Sequence, residues 1–331
     1  MASLRNNPLK AGTGVPRICV AFSGGLDSTV LLHQMAHAAA RASIALSALH
    51  VHHGLSKNAD AWARHCRRVC KALTVPLTVR RVVVSRVPRT SLEEEARRAR
   101  YAAFALAKVD VIALAHHAND QAETLLLQLF RGAGPKGLAG MAPLKPLSTK
   151  GLGKILLWRP LLNCHQEELE EYARRHQLDW IEDESNANLR FKRNFVRKRL
   201  MPLLAEAFPA PVATLARAAR HQAEAADLIS ALADADLTQA RSHADPGASR
   251  DVVRDAAALL SLDAGILKRL DAVRLKNALR RWLDLAGLRQ PSEARLGALV
   301  KALGDSSNYT RLTWIHEGRT VWRKNGLLLL G

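Results

Sequence analysis

The chain is poor in the features that would assign it elsewhere. No run approaches the roughly 18 consecutive apolar residues that a membrane span needs, and the opening "MASLRNNPLKAGTG" lacks the apolar segment of a secretory signal. A cytoplasmic protein with no membrane partner is the expectation. Cysteines number four, Cys19, Cys66, Cys70 and Cys164, and no CxxC occurs. Four cysteines fit that compartment, and the catalytic cysteine pair of sulphur-transfer chemistry is missing. Cys66 and Cys70, four apart in a helical pattern, read as buried small hydrophobes rather than a metal pair. Acidic residues are also scarce: 30 Asp and Glu stand against 49 Lys and Arg, a net charge of +19. Such a balance suits a polyphosphate partner held by salt-sensitive attraction, although a merely basic surface is the plainer alternative. No internal repeat or low-complexity tract appears.

What is present is alternation. "RICVAF", "IALSALHV", "LTVRRVVV" and "DVIALAH" read as strands, each followed by a helical pattern. The helices begin near Ser28, near Ser56, at "SLEEEARRARYAAFALAKV" and over 119–130, the third opening with Ser91 and Glu94 at capping-box spacing. Four such units in a row predict an α/β fold with a doubly wound parallel sheet. Ligands of such sheets lie outside the carboxyl ends of the strands, where Ser23 to Ser28, His50 to His53 and His116 to Asp120 all fall. A glycine-rich connection, "RGAGPKGLAGMAPLKP", then leads to a strand "KILLWRPLL", a helix "CHQEELEEYARRHQL" and a basic loop. From about Ala210 the chain becomes Ala-rich and helical, and "HADPGASRD" reads as a connector. It closes on two strand-like runs around the turn pairs Glu317-Gly318 and Asn325-Gly326. The expected organisation is a flexible tail over 1–14, a catalytic domain over 15–210, a helical linker over 211–250 and a smaller, mainly helical C-terminal domain over 251–331. A length of 331 residues suits a main domain plus an appendage.

The stretch "SGGLDS" at 23–28 carries the first chemistry. Glycines at a strand-to-helix junction expose backbone N–H groups and the positive end of a helix dipole, which suits a phosphate. Ser23 and Ser28 add hydroxyls, Gly24, Gly25 and Leu26 add backbone, and Asp27 adds an oxygen ligand for Mg²⁺. No lysine lies within the loop, so it is not a Walker loop. Without it the site need not transfer the terminal phosphoryl and could instead hold pyrophosphate as a leaving group; a serine-glycine turn with no ligand is the plainer alternative for these six residues alone.

SGGxDS after the first strand resembles the loop of the N-type ATP pyrophosphatases, the PP-loop superfamily. Later motifs narrow the resemblance. "HVHHGL" (50–55) is similar to HxxHxLR of the tRNA(Ile)-lysidine synthetases, matched at His50, His53 and Leu55, with Ser56 where that pattern has Arg. "LAHHANDQAETLLLQLFRGAGPKGLAGM" (114–141), "RPLL" (159–162) and "EDESNANLRFKRNFVR" (182–197) resemble the remaining motifs of that family. The likeness covers about 15–205, and the segment from about 265 also resembles the family's first C-terminal domain. Some longer members carry a further terminal domain, and none is expected within these 331 residues.

The resemblance implies an enzyme that ligates L-lysine to C2 of the wobble cytidine of a CAU-anticodon tRNA(Ile), using ATP and Mg²⁺. It implies catalytic roles for Asp27, His50, His53, His117, Asp120 and Arg193. Lysine is expected at Asp120, Glu123 and Arg97. Contacts to tRNA are expected from Arg131, Arg190, Lys192, Arg193, Asn194, Arg197 and Lys198, with the appendage reading the tRNA beyond its anticodon. Each has a plainer reading. Asp120 and Glu123 would serve as first-turn acids of a helix; Arg97 would pair with Glu93 or Glu94; six basic residues between Ser185 and Pro202 would form a solvated face. The five histidines 50, 52, 53, 116 and 117 invite zinc, but in a strand His50 and His52 share a face that His53 does not. Two rivals stay open: a PP-loop tRNA-thiolation enzyme, against which the missing CxxC weighs, and a non-catalytic nucleotide- or RNA-binding module. Whether the chain forms a homodimer is also left open.

Overall fold

The computed structural model describes residues 15–42, 44–85, 90–147, 155–244, 261–305 and 312–331. Two compact units divide between Ala223 and Glu224. The expected tail lies outside the described residues, as does the linker beyond 244.

In the first unit, strands β1 (Arg17–Ala21), β2 (Ala45–His52), β3 (Leu77–Arg81), β4 (Val111–Ala113), β5 (Leu144–Leu147) and β6 (Ile155–Trp158) form one sheet in the order β3-β2-β1-β4-β6-β5. All neighbours pair in parallel except β5, which runs antiparallel to β6 at the edge. Helices α1 (Leu26–Ala39), α2 (Ala59–Ala72), α3 (Leu92–Ala105) and α4 (Ala118–Leu129) follow the first four strands. Then come α5 (Pro135–Leu138), α6 (Gln166–Arg175), α7 (Lys192–Phe195), α8 (Met201–Ala207) and the start of α9 (Pro211–Ala244).

Pleating explains the two-sided core. Ile18 and Val20 of β1 and Val111 and Ala113 of β4 turn to one face, packing with α1, α2 and α6; Cys19 and Ile112 turn to the other, packing with Phe104 of α3. Buried on both faces, these strands need continuous apolar runs, which is what "ICV" and "VIA" are. Burial also pushes the Cys19 and Cys70 thiols to about 11 and Cys66 to about 12, so these cysteines are apolar filling and poor thiolates. Ser91 caps α3 by accepting a hydrogen bond from Glu94 N at 3.1 Å. Because the chain runs β1-β2-β3 to one side and then returns to β4 on the other, the sheet has its switch point between β1 and β4.

The second unit contains the rest of α9, α10 (Ala264–Arg269), α11 (Ala272–Leu285) and α12 (Glu293–Asp305). Beside them lies an antiparallel sheet of β7 (Ser261–Asp263), β8 (Thr313–His316), β9 (Arg319–Lys324) and β10 (Leu327–Leu330), ordered β7-β10-β9-β8. Trp282 and Leu279 of α11, Leu299 of α12 and Val321 and Leu328 of the sheet are fully buried in its core. The closing segment is three strands rather than the expected two. Glu317, Gly318, Asn325 and Gly326 all have positive φ (50°, 77°, 51°, 80°), so each turn pair closes a tight hairpin and adds a strand.

Candidate active site

The loop after β1 is knit by its own serines. Ser23 Oγ and Ser28 Oγ lie 2.9 Å apart, Gly24 N donates to Ser28 Oγ at 3.2 Å and Gly25 N to Ser23 Oγ at 3.3 Å. Gly24 has φ +90°, and a Cβ there would come within 2.6 Å of Ile181 Cδ1 and 3.0 Å of Cys66 Sγ. Only glycine fits. With Gly25 as its N-cap, α1 presents the backbone N–H groups of its first turn at the mouth of the sheet.

At the switch point, the start of α4 faces that loop. His117 Nε2 lies 3.7 Å from Asp27 Oδ2 and 3.5 Å from Asp120 Oδ2, and Asp120 also accepts from His117 N at 3.2 Å. Arg197 closes the far side: its Nε donates to Glu123 Oε1 at 2.6 Å and its Nη2 to Glu123 Oε2 and Asp120 Oδ1, both at 3.1 Å. Arg193 donates to Thr124 Oγ1 at 2.9 Å and lies 3.5 Å from Glu123. Both arginines come from one basic stretch, α7 and the π-helical turn Val196–Leu200 that follows it. A wide turn of this kind is a common mark of a functional site.

These contacts set the charges. Burial holds Asp27 above its usual range, with His117 and Arg197 pulling down against Asp120 and Glu170. Burial also raises Glu123, only partly offset by Arg197. Asp120 is pushed up by burial but held below its ordinary value by His117, His116, Arg197 and Arg193 together. His53 and His116 are driven to about 4 by burial and nearby arginines, so both are neutral hydrogen-bonding groups at neutral pH. His50 is likewise lowered by burial, and its Nδ1 donates to Phe22 O at 2.9 Å, tying the end of β2 to the loop.

The residues expected from sequence thus divide. Asp27, His117, Asp120, Glu123, Arg193 and Arg197 form one continuous chain. Asp120 and Glu123, expected to receive a substrate cation, are already held by a protein cation, and Arg197, expected on tRNA, is that cation. Asn194 is buried, its Nδ2 donating to Asn188 O at 2.9 Å. Arg131, Arg190, Lys192 and Lys198 are exposed. Arg97 pairs with neither Glu93 nor Glu94; it stacks over Tyr101 at 4.8 Å and donates to its hydroxyl at 3.1 Å.

Two supports had no role in the sequence reading. Arg159, the first residue of "RPLL", is buried; its Nε donates to His116 Nδ1 at 3.2 Å and its Nη1 to Ala142 O at 2.6 Å. Gln121 exchanges two hydrogen bonds with the Met141 backbone, and Gly140 leaves room for its amide. Both pin the glycine-rich connection beside α4. Their only sequence signal was membership of a motif.

The donor set fits a polyphosphate with one dication. First-turn N–H groups and two hydroxyls suit phosphate oxygens. Asp27, partly exposed and held above its usual pKa, is an oxygen ligand whose ionisation a hard cation would favour.

A parallel sheet opening at its switch point onto such a loop defines a PP-loop domain. The PP-loop domain profile matches residues 3–204, and that of the TilS substrate binding domain matches 262–329. A tRNA(Ile)-lysidine synthase of Pseudomonas fluorescens is 48% identical over 284 residues, 85% of this chain and 60% of that protein. One of Pseudomonas putida is 46% identical over 313 residues, 92% of this chain and 69% of that protein. The chain belongs to the tRNA(Ile)-lysidine synthase family. It spans about three fifths of the length of several curated relatives it matches, 60%, 58% and 58%. Among solved structures, the U34-tRNA thiolase NcsA of Methanococcus maripaludis shares the fold, with a TM-score of 0.50 and 16% identity over 64% of this chain and 74% of that one.

Proposed function

We propose that the chain ligates L-lysine to C2 of the wobble cytidine of a CAU-anticodon tRNA(Ile), with ATP cleaved to AMP and pyrophosphate. The observation that supports this best is the intact SGGLDS loop facing the Asp27–His117–Asp120 chain, in a protein that also matches the substrate-binding domain of the family.

Cytosine C2 carries a poor leaving group, so direct attack by an amine is slow. In the first step the cytidine O2 attacks the α-phosphorus of ATP, and the bond to pyrophosphate breaks. Ser23, Ser28 and the N–H groups at the start of α1 hold the departing pyrophosphate. Mg²⁺, when bound at Asp27, supplies charge neutralisation to that leaving group. Asp120 and His117 orient Asp27, and Arg197 keeps their excess negative charge from repelling the phosphates. In the second step the lysine ε-amine, having lost a proton, bonds to C2, and AMP leaves with O2. Neutral His116 and His53 serve as hydrogen-bonding groups near the base and the adenylate. The exposed Arg131, Arg190, Lys192 and Lys198 supply sequence-independent contacts to tRNA phosphates.

The test is incubation with ATP, Mg²⁺, radiolabelled lysine and a CAU-anticodon tRNA(Ile) transcript. The expected result is label on this tRNA, none on a methionine tRNA, and none with Asp27→Ala. Release of AMP without lysine transfer would point to another nucleophile.

A further inference from the structure

Away from the candidate active site, α1 and α6 bring the rings of His33, His37, Tyr172 and His176 together. His33 and His37 stand four residues apart on α1 and so share one face. Their Nε2 atoms lie 3.2 Å apart while the ring centres are 4.5 Å apart, so both rings turn these nitrogens toward each other. Two nitrogens bound to one Zn²⁺ at about 2.0–2.1 Å would stand about 2.9–3.4 Å apart, for angles at the metal of about 90–110°. The observed spacing falls inside that range. Histidines at i and i+4 on one helix face are also the arrangement by which metal-binding helices present a ligand pair.

The surroundings suit a cation. His37 lies in the last turn of α1, at the negative end of the helix dipole. His33 is buried and His37 is exposed, so the pair opens to water on one side only. The other side is walled by α6 and its C-cap. Tyr172 OH lies 2.9 Å from His33 Nδ1, and the His176 ring packs 5.0 Å from that of His33 and 4.3 Å from that of Tyr172. With Nε2 on a metal, His33 keeps its proton on Nδ1 and donates it to the Tyr172 oxygen, the outer contact that fixes a ligating imidazole. Among the described residues no three His, Cys, Asp or Glu side chains form a metal site, so the pair supplies two ligands and water takes the remaining positions.

We propose that His33 and His37 bind a transition dication of the zinc class, with Tyr172 orienting His33. Imidazole nitrogens suit Zn²⁺, Cu²⁺ or Ni²⁺, whereas Mg²⁺ takes oxygen ligands. The site is separate from the one proposed for Mg²⁺ at Asp27: at about 1.5 Å per residue, His33 and His37 lie about 9 and 15 Å along α1 from that carboxylate. An ion held by both rings ties two successive turns of α1 together, and the same helix carries Asp27 and Ser28 at its start.

The test titrates the full chain with Zn²⁺ against a chromophoric chelator, in an excess of Mg²⁺. The wild-type protein should hold one equivalent of zinc that His37→Gln lacks. Because His37 is exposed, this variant should melt as the wild type does when no zinc is present. Zinc should raise the melting temperature of the wild type and not that of His37→Gln. Tyr172→Phe keeps both ligands and should weaken the same equivalent by about tenfold or more, which a site without an orienting hydroxyl would not show. Equal zinc stoichiometry and affinity in the wild type and His37→Gln would trace the binding to other histidines and overturn the proposal, as would a wild-type protein that takes up no zinc.

Discussion

Arg197 is the residue whose removal says most about the site. Replacing it with methionine keeps much of its apolar stem but deletes three hydrogen bonds to two carboxylates, one 1% exposed and the other 12%. Breaking a fully buried ion pair costs about 3–5 kcal/mol. Here Arg197 is itself 35% exposed, so water screens part of the charge, and Glu123 can take up a proton. About 2–3 kcal/mol at neutral pH is the resulting expectation. For a unit of this size that corresponds to a melting shift of about 5–10 °C. The pH dependence carries the argument further. Glu123 already has its folded pKa above its ordinary 4.5, and losing the guanidinium pushes it higher. A group raised in the folded state gives stability that is present at low pH and is lost as pH rises through the folded pKa. Asp120, held below 3.8 in the wild-type protein partly by Arg197, also moves up when that charge is removed, which acts in the same direction. The deficit of Arg197→Met should therefore grow from pH 5 to pH 8 when followed by calorimetry. An equal deficit at both pH values, or none, would refute the view that Arg197 offsets buried negative charge.

Other outcomes follow from single contacts. Gly24→Ala combines a positive φ with a Cβ 2.6 Å from Ile181, so it should cost about 2–4 kcal/mol in urea unfolding and abolish nucleotide binding. His53 has its pKa lowered to about 4; its contribution to stability is present above the unfolded value of 6.5 and lost as pH falls toward 4. His53→Gln should thus show a shallower loss of stability than wild type between pH 6.5 and 4.5. In the second unit, Asp236 is 1% exposed beneath Arg274, which is 44% exposed and donates to it at 2.5 and 3.3 Å. Asp236→Asn should lower the stability of that unit by about 2 kcal/mol and leave nucleotide binding by the first unit intact, as separate melting and binding measurements would show.

The candidate site was legible where a local rule ties residue to geometry. "SGGLDS" after an apolar strand must turn sharply and start a helix, so the sequence alone places the loop. The Ser91 cap and the Glu317-Gly318 and Asn325-Gly326 turns were likewise visible, since side-chain capping and positive φ select those residue types. Fewer strands were expected at the end of the chain than occur, because short apolar runs between tight turns do not declare their own number. Arg159 and Gln121 sat inside motifs, but nothing local says that they brace a loop 17 to 20 residues away in the chain.

The order of strands and helices, the sheet class and the identity of the phosphate loop are properties of the sequence by itself. They depend on hydrophobic period and on backbone conformations that only certain residues adopt. Which charges neutralise one another was decided by the tertiary structure alone. Arg197 reads as one more cation in a basic run, yet packing carries it 77 residues back along the chain to Asp120. In the same way the segment around Ile181 is brought back to Gly24, so that Glu182 and Glu170 face one cavity. Electrostatic pairing acts through space, over a few ångströms, and spacing along the chain does not encode it.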